Sequence, residues 1–136
     1  MPKDRSPYEL YSDIIGRCER IARLTARAGG LDVLLDQYHV MGEDAPAEFD
    51  AVRLNFIHIG EAVARLGTTV ELDAPDFPWN SVKAFRHAMT HNYEDIAVRY
   101  VREALADLDR LKSVCVLQRT RYDLNRPGYR AAQPQP

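Results

Sequence analysis

The sequence contains two cysteines among 136 residues, and no stretch of apolar residues is long enough to cross a membrane. Two cysteines cannot supply the several disulfides that stabilise small secreted proteins. A membrane span needs about 18 consecutive apolar residues, and the amino-terminal sequence MPKDRSPYEL lacks the apolar core of a signal peptide. These absences predict a cytoplasmic protein without a membrane partner, in which Cys18 and Cys115 are core thiols.

The sequence also lacks a large excess of charge of either sign, because 18 basic residues face 20 acidic ones and the net charge is −2. The chain as a whole is therefore not an unspecific binder of polyanions. Lysine is scarce and occurs only at Lys3, Lys83 and Lys112. Almost all of the positive charge is carried by arginine, whose planar guanidinium is suited to binding phosphate and carboxylate groups.

Alternating β-branched residues are missing as well, which argues against a sheet. Apolar residues instead recur at intervals of three and four, as they do in helices that bury one face. The first such stretch begins at the capping residues Ser6 and Glu9 and ends at the glycine pair 29–30. The second begins after Asp44 and ends at Gly67, so both stretches predict long helices.

The second half of the chain continues in the same manner. A loop is predicted from Thr68 to Pro78, with Trp79 as its anchor, and Pro78 opens the next helix. The last apolar-periodic stretch runs from Val98 to Cys115. Together these patterns predict an all-α protein, a bundle of four or five helices. We expect a helical domain at 1–118, followed by a polar, mobile tail at 119–136.

Reactive side chains concentrate in residues 85–93, which read Phe-Arg-His-Ala-Met-Thr-His-Asn-Tyr. In a continuous helix, Arg86 and His91 would point about 140° apart. They converge only if the helix ends before His91, and Asn92 readily adopts the conformations found at helix ends. We therefore expect a helix break at residues 91–93 that exposes the polar side chains.

Arg86, His91 and Tyr93 spell the motif R-x4-H-x-Y, and with it the sequence resembles the HepT-like toxins of the HEPN superfamily. These toxins are the ribonuclease partners of minimal nucleotidyltransferase antitoxins. Two further segments carry the resemblance. Ile-Gly-Glu-Ala at residues 59–62 is similar to the family's I-G-E-A segment, and Phe-Pro-Trp at residues 77–79 is similar to the start of its motif helix.

The resemblance implies a homodimer whose two motifs face a shared cleft and cleave RNA without a metal or another cofactor. Such cleavage needs a base for the 2′-hydroxyl proton, an acid for the leaving 5′-oxygen, and positive charge at the phosphorane. Arg86 suits the last role, and His91, with an ordinary pKa of about 6.5, suits either proton transfer. The resemblance also implies that the antitoxin transfers adenylate groups to Tyr93 and thereby inhibits the toxin.

One position in the motif departs from the commonest family pattern. The residue after the arginine is more often asparagine, whereas this sequence has His87, a residue that the wider superfamily accepts there. His87 either replaces His91 in one proton transfer or orients it. We predict catalytic roles for Arg86 and His91 and a supporting role for His87.

Two other interpretations of these residues remain open. Arg86 can belong to a salt bridge, for example with Glu61, while His91 and Tyr93 merely cap helix ends. In that case the chain is a noncatalytic helical module that docks onto a nucleotidyltransferase. Alternatively, His87 and His91, four residues apart, bind zinc with His58 or Glu61 as a third ligand, which predicts a hydrolase that a chelator inactivates. The sequence has no cysteine or acidic residue at an interval that would support a zinc site.

Overall fold

The computed structural model describes residues 5–30, 32–34, 47–90 and 102–124, without the side chains of residues 88–90 and 123–124. These ranges contain the helices α1 (Pro7–Arg27), α2 (Ala47–Leu66), α3 (Thr68–Asp73), α4 (Trp79–Thr90) and α5 (Leu108–Leu124). Residues 32–34 and 102–106 are also helical, and none of the described residues lies in a strand. The prediction of an all-α protein is confirmed. No helix in these ranges is both long enough and apolar enough to span a membrane.

Helix α1 begins and ends where its sequence predicts. The side chain of Ser6 accepts a hydrogen bond from the backbone N–H of Glu9 at 3.2 Å, and Glu9 Oε1 accepts one from the N–H of Ser6 at 2.9 Å. After the helix, Gly29 and Gly30 have φ angles of 105° and 110°, which residues with a Cβ rarely adopt. Local sequence therefore determines both ends of α1.

The core lies where α1 packs against α2 and α5 and where α2 packs against α4. The apolar stripes predicted for α1 and α2 form most of it, and burying each large aliphatic side chain contributes about 1.5–3 kcal/mol. Both cysteines are buried, as predicted. The fully buried side chains with the largest volumes are Tyr11, Phe49, Ile14, Ile21, Leu34, Ile59, Val52, Val63 and Val70.

The predicted loop between α2 and α4 is partly wrong, because its first half forms the short helix α3. Gly67 separates α2 from α3 with a φ angle of 59°, and Val70 of α3 is completely buried. The rest of the connection is held as predicted by Trp79, whose Nε1–H donates a hydrogen bond to the carbonyl of Ala74 at 2.9 Å. This anchor fixes the start of α4.

The last predicted helix is interrupted. A turn at Asp107 separates the helical residues 102–106 from α5, and the part of the predicted helix before residue 102 lies outside the described residues. Beyond the predicted domain boundary at residue 118, α5 continues to Leu124. The division into domain and tail stays a prediction, and residues 125–136 are outside the described ranges.

The carboxyl-terminal turns of α5 are attached to the rest of the bundle through Asp73 at the end of α3. Its carboxylate accepts hydrogen bonds from Tyr11 of α1 at 2.8 Å and from Tyr122 of α5 at 2.8 and 3.0 Å. Arg121 also binds it, at 3.2 Å. Three helices therefore meet at one carboxylate, which is 8% exposed.

Candidate active site

Two of the four predicted site residues lie in the described part of the chain. Arg86 and His87 occupy the second half of α4, which begins directly after Pro78 as expected. His91 and Tyr93 lie outside the described residues, as does the helix break predicted at residues 91–93. The geometry around Arg86 therefore defines the site.

Helix α4 is positioned on α2 by aromatic packing. The rings of Phe85 and Phe56 meet edge to face, with their centroids 4.9 Å apart and their planes at 86°. Such a pair contributes about 0.5–1.5 kcal/mol beyond the area that it buries. Trp79 is 2% exposed and packs against Phe77 at the other end of α4, at a centroid distance of 4.6 Å. The helix is thus fixed on both sides of the turn that leads to Arg86.

Arg86 lies directly against the backbone of α2 at Gly60. A Cβ added to Gly60 would be 2.4 Å from the Cβ of Arg86 and 2.8 Å from its Cγ and Cδ. Carbon atoms in contact are normally about 3.5–4.0 Å apart, so only glycine fits at this point. Because Gly60 is buried in the middle of α2, it lowers the stability of the helix by roughly 1 kcal/mol relative to alanine. The absence of a side chain at Gly60 therefore leaves the space that the aliphatic part of Arg86 occupies.

The guanidinium of Arg86 is not part of a salt bridge within the described ranges. The side chain is half buried, and its Nε is buried without a hydrogen-bond acceptor. Glu61, which the sequence suggested as a partner of Arg86, instead binds His58, with 3.0 Å between Oε1 and Nδ1. The suggested ion pair between Arg86 and Glu61 is therefore wrong. A positive charge that has no ion-pair partner among the described residues is available to an anion.

His87 follows Arg86 and is exposed. It is one of the four residues proposed above for a metal site, and among the described residues no three His, Cys, Asp or Glu side chains form a metal-binding group. The zinc interpretation includes His91, which lies outside these ranges. His58 is half exposed and paired with Glu61.

A cavity of about 400 Å³ lies against α4 at Phe85, and no pattern in the sequence predicts it. Its apolar wall includes Phe56 and Phe85, the ring pair that holds α4 on α2, and Glu103 and Asp107 are also among its lining residues. The cavity brings together residues from α2, α4 and the segment before α5, whose contacts depend on tertiary packing. Sequence periodicity cannot reveal such a space.

The described residues thus form an all-helical bundle in which an arginine on α4 lies against a glycine of α2. Residues 15–116 match the family model described as "Ribonuclease HepT-like". The match covers most of the chain, and the protein belongs to the HepT-like ribonuclease family. This membership confirms the resemblance to HepT-like HEPN toxins and the HEPN-type fold. A search of curated proteins and a search of solved structures found no match.

Proposed function

We propose that this protein is the endoribonuclease toxin of a type II toxin–antitoxin pair, and that Arg86 and His91 catalyse RNA cleavage without a metal. The observation that carries this proposal is the position of Arg86, half buried against Gly60 with no ion-pair partner in the described ranges. Family membership supports ribonuclease activity in general. The proposal places the protein in the cytoplasm, where its RNA substrate occurs.

The proposed reaction uses the nucleophile that RNA itself carries. The 2′-oxygen forms a bond to phosphorus while the bond from phosphorus to the 5′-oxygen breaks, leaving a 2′,3′-cyclic phosphate and a 5′-hydroxyl. Arg86 binds the nonbridging oxygens, whose negative charge increases in the phosphorane, with a planar fork of N–H donors. Because the aliphatic part of Arg86 is held by Gly60, little reorganisation is needed when that charge develops.

Two protons must move in this reaction, and one histidine cannot transfer both in a single step. One imidazole accepts the proton of the 2′-hydroxyl, and a protonated one donates to the 5′-oxygen. In a homodimer, His91 of each copy would supply one of these groups. His87, which is exposed beside Arg86, would orient His91 or share one proton transfer. A heterodimer with one intact His91 that remains fully active would argue against the division between two chains.

The proposed regulation acts at Tyr93 through the cognate nucleotidyltransferase antitoxin. Transfer of an adenylate group from ATP to the phenol oxygen releases pyrophosphate and adds a phosphodiester to the protein. Its negative charge would repel the RNA backbone and occupy the guanidinium of Arg86. A Tyr93→Phe protein should therefore cleave RNA and escape inhibition. Modification and full inhibition of that variant would contradict the proposed acceptor.

The decisive experiment incubates the purified protein with RNA in EDTA and analyses the product ends. We expect 2′,3′-cyclic phosphate ends from the wild type, and at least a 100-fold loss of activity in Arg86→Ala and in His91→Ala. Circular dichroism and sedimentation would show whether both variants remain folded and dimeric. Loss of cleavage in EDTA would favour a metal-dependent hydrolase. Undiminished growth arrest by both variants would leave the noncatalytic binding module as the better interpretation.

A further inference from the structure

A row of three arginines lies on the outer face of α1, far along the helix from its capped start. Arg20, Arg23 and Arg27 are all exposed, and their spacing of three and four residues places them on one side of the helix. The opposite side is buried against the core, with Ile14 and Ile21 completely covered. The three guanidiniums are thus distributed over about 10 Å of a solvent-facing surface. We call these three residues the arginine face.

No acidic residue in the described part of the chain neutralises the arginine face. Arg17, one turn before it, is paired with Asp13, but none of the three arginines has a salt bridge within those ranges. Glu19, the nearest carboxylate in sequence, binds Lys112 of α5 instead. A local surplus of three positive charges therefore exists on a protein whose net charge is −2.

We propose that the arginine face binds the phosphate backbone of RNA, at a position separate from Arg86. This inference rests on the proposed ribonuclease function. Because the net charge of the chain is negative, it provides no general attraction for a polyanion, and an RNA substrate needs a local basic surface. Arginines that are not engaged in internal ion pairs keep all their N–H donors for phosphate oxygens.

The position of the arginine face makes it a binding surface that does not take part in the reaction. Arg86 is on α4, whereas the arginine face is on α1, and both helices pack on α2. Arg20, Arg23 and Arg27 are exposed opposite the buried side of α1, whereas the aliphatic part of Arg86 lies against Gly60, so the arginine face is not part of the Arg86 site. An RNA must extend over several nucleotides to contact both. The arginine face should therefore affect long substrates and leave the shortest ones unchanged.

The test replaces all three arginines together, as Arg20→Gln, Arg23→Gln and Arg27→Gln. Glutamine has a similar helix propensity, so α1 should remain folded, which thermal melting can verify. A control of equal charge replaces three exposed arginines on other elements, as Arg65→Gln, Arg102→Gln and Arg110→Gln. Arg102 is paired with Asp32 and Arg110 lies over the ring of Phe77, so thermal melting is measured on this variant as well. Binding is measured with a long 2′-O-methyl RNA, which cannot be cleaved, so that the result does not depend on catalysis.

We expect the arginine-face variant to bind the 2′-O-methyl RNA roughly 10-fold more weakly than wild type, and the control variant to bind nearly normally. The slope of log affinity against log salt should fall by about 2, since each phosphate contact on a single strand contributes about 0.7. The KM for a long cleavable RNA should rise in parallel, while cleavage of a dinucleotide is unaltered.

Three results would overturn the inference. Equal losses in the arginine-face and control variants would show an effect of net charge alone. Wild-type RNA affinity in the arginine-face variant would exclude the contact, and if the antitoxin then bound less well, the face would belong to an acidic protein partner. After either of these two results, RNA cleavage by the wild-type protein would still support the proposed function. If the wild type neither bound nor cleaved RNA, the proposed function itself would fail.

Discussion

The contact between Gly60 and Arg86 allows a prediction whose magnitude follows from the structure. In Gly60→Ala, the new methyl group would be 2.4 Å from the Cβ of Arg86. This Cβ is attached to the backbone of α4 and cannot rotate away as the end of a side chain can. Helix α4 must therefore move outward by about 1 Å to restore a normal carbon contact of about 3.5 Å. The displacement includes the turn that carries Arg86.

The effects of Gly60→Ala on stability and on activity should differ in size. Overpacking costs about 1–3 kcal/mol, and the better helix propensity of alanine returns about 1 kcal/mol, so the variant should be at most modestly destabilised. A misplacement of about 1 Å at a catalytic group can reduce the rate 100-fold. We therefore expect kcat/KM for RNA cleavage to fall by about two orders of magnitude in a protein that remains folded.

Gly16→Ala is the matched control, because Gly16 is also within a helix but has no atom near its added Cβ. Gly16 is exposed on α1, so the control should gain about 1 kcal/mol in the free energy of unfolding without a change in cleavage. Urea denaturation and RNA cleavage should be measured on both variants. If Gly60→Ala is folded and cleaves RNA at the wild-type rate, the proposed positioning of Arg86 is wrong.

Three further predictions concern the bundle. Asp73→Ala should lower the free energy of unfolding in urea by about 3 kcal/mol, because the hydroxyl groups of Tyr11 and Tyr122 lose their acceptor. Asp76→Ala, at an exposed position, should change the free energy of unfolding by less than about 0.5 kcal/mol. Burial, aided by the bond to Asp73, raises the pKa of Tyr122 to about 12 from 10. The folded state then binds this proton more tightly, so unfolding titrations should show stability falling from pH 10 towards pH 12, and less steeply in Tyr122→Phe. Burial also raises the pKa of Cys18 to about 12, and Cys115 is buried as well. Iodoacetamide should therefore modify the two cysteines only after the protein unfolds.

Each of these predictions has a result that would contradict it. Equal stability of the Asp73→Ala and Asp76→Ala proteins would mean that the carboxylate at the end of α3 does not connect the helices. A loss of stability above pH 10 that is as steep in Tyr122→Phe as in the wild type would assign the pH dependence to other groups. Rapid labelling of the native cysteines would show that the core opens readily.

What the sequence predicted correctly depends on interactions between residues close in the chain. The start of α1 follows from Ser6 and Glu9, which are three residues apart, and the start of α4 follows from Pro78 and Trp79. The sequence does not predict the short helix α3, because its mainly polar residues give little periodic signal and Val70 is its single buried residue. Its formation depends on burial against other helices, which a local pattern does not show.

The same limit applies to the candidate site. The motif identified Arg86 and His87, and periodicity placed them on α4, but their surroundings depend on which helix lies opposite. The sequence suggested Glu61 as a partner of Arg86 since the two are chemically complementary, whereas in the structure His58, three residues away on the same helix, binds Glu61. A local pair at helical spacing is already assembled when the helix forms, and it leaves Arg86 without that partner.

Two unfavourable features coincide where α2 meets α4. A glycine inside α2 weakens the helix by roughly 1 kcal/mol, and burial of the Arg86 Nε, which has no acceptor among the described residues, costs about 1–3 kcal/mol. An apolar residue at position 86 would remove the second cost, whereas the first remains as long as the residue at position 86 carries a Cβ. Departures from local rules that combine in one contact are typical of functional sites. Only the buried Nε is specific to an arginine at position 86, and this cost is consistent with the role proposed above for Arg86.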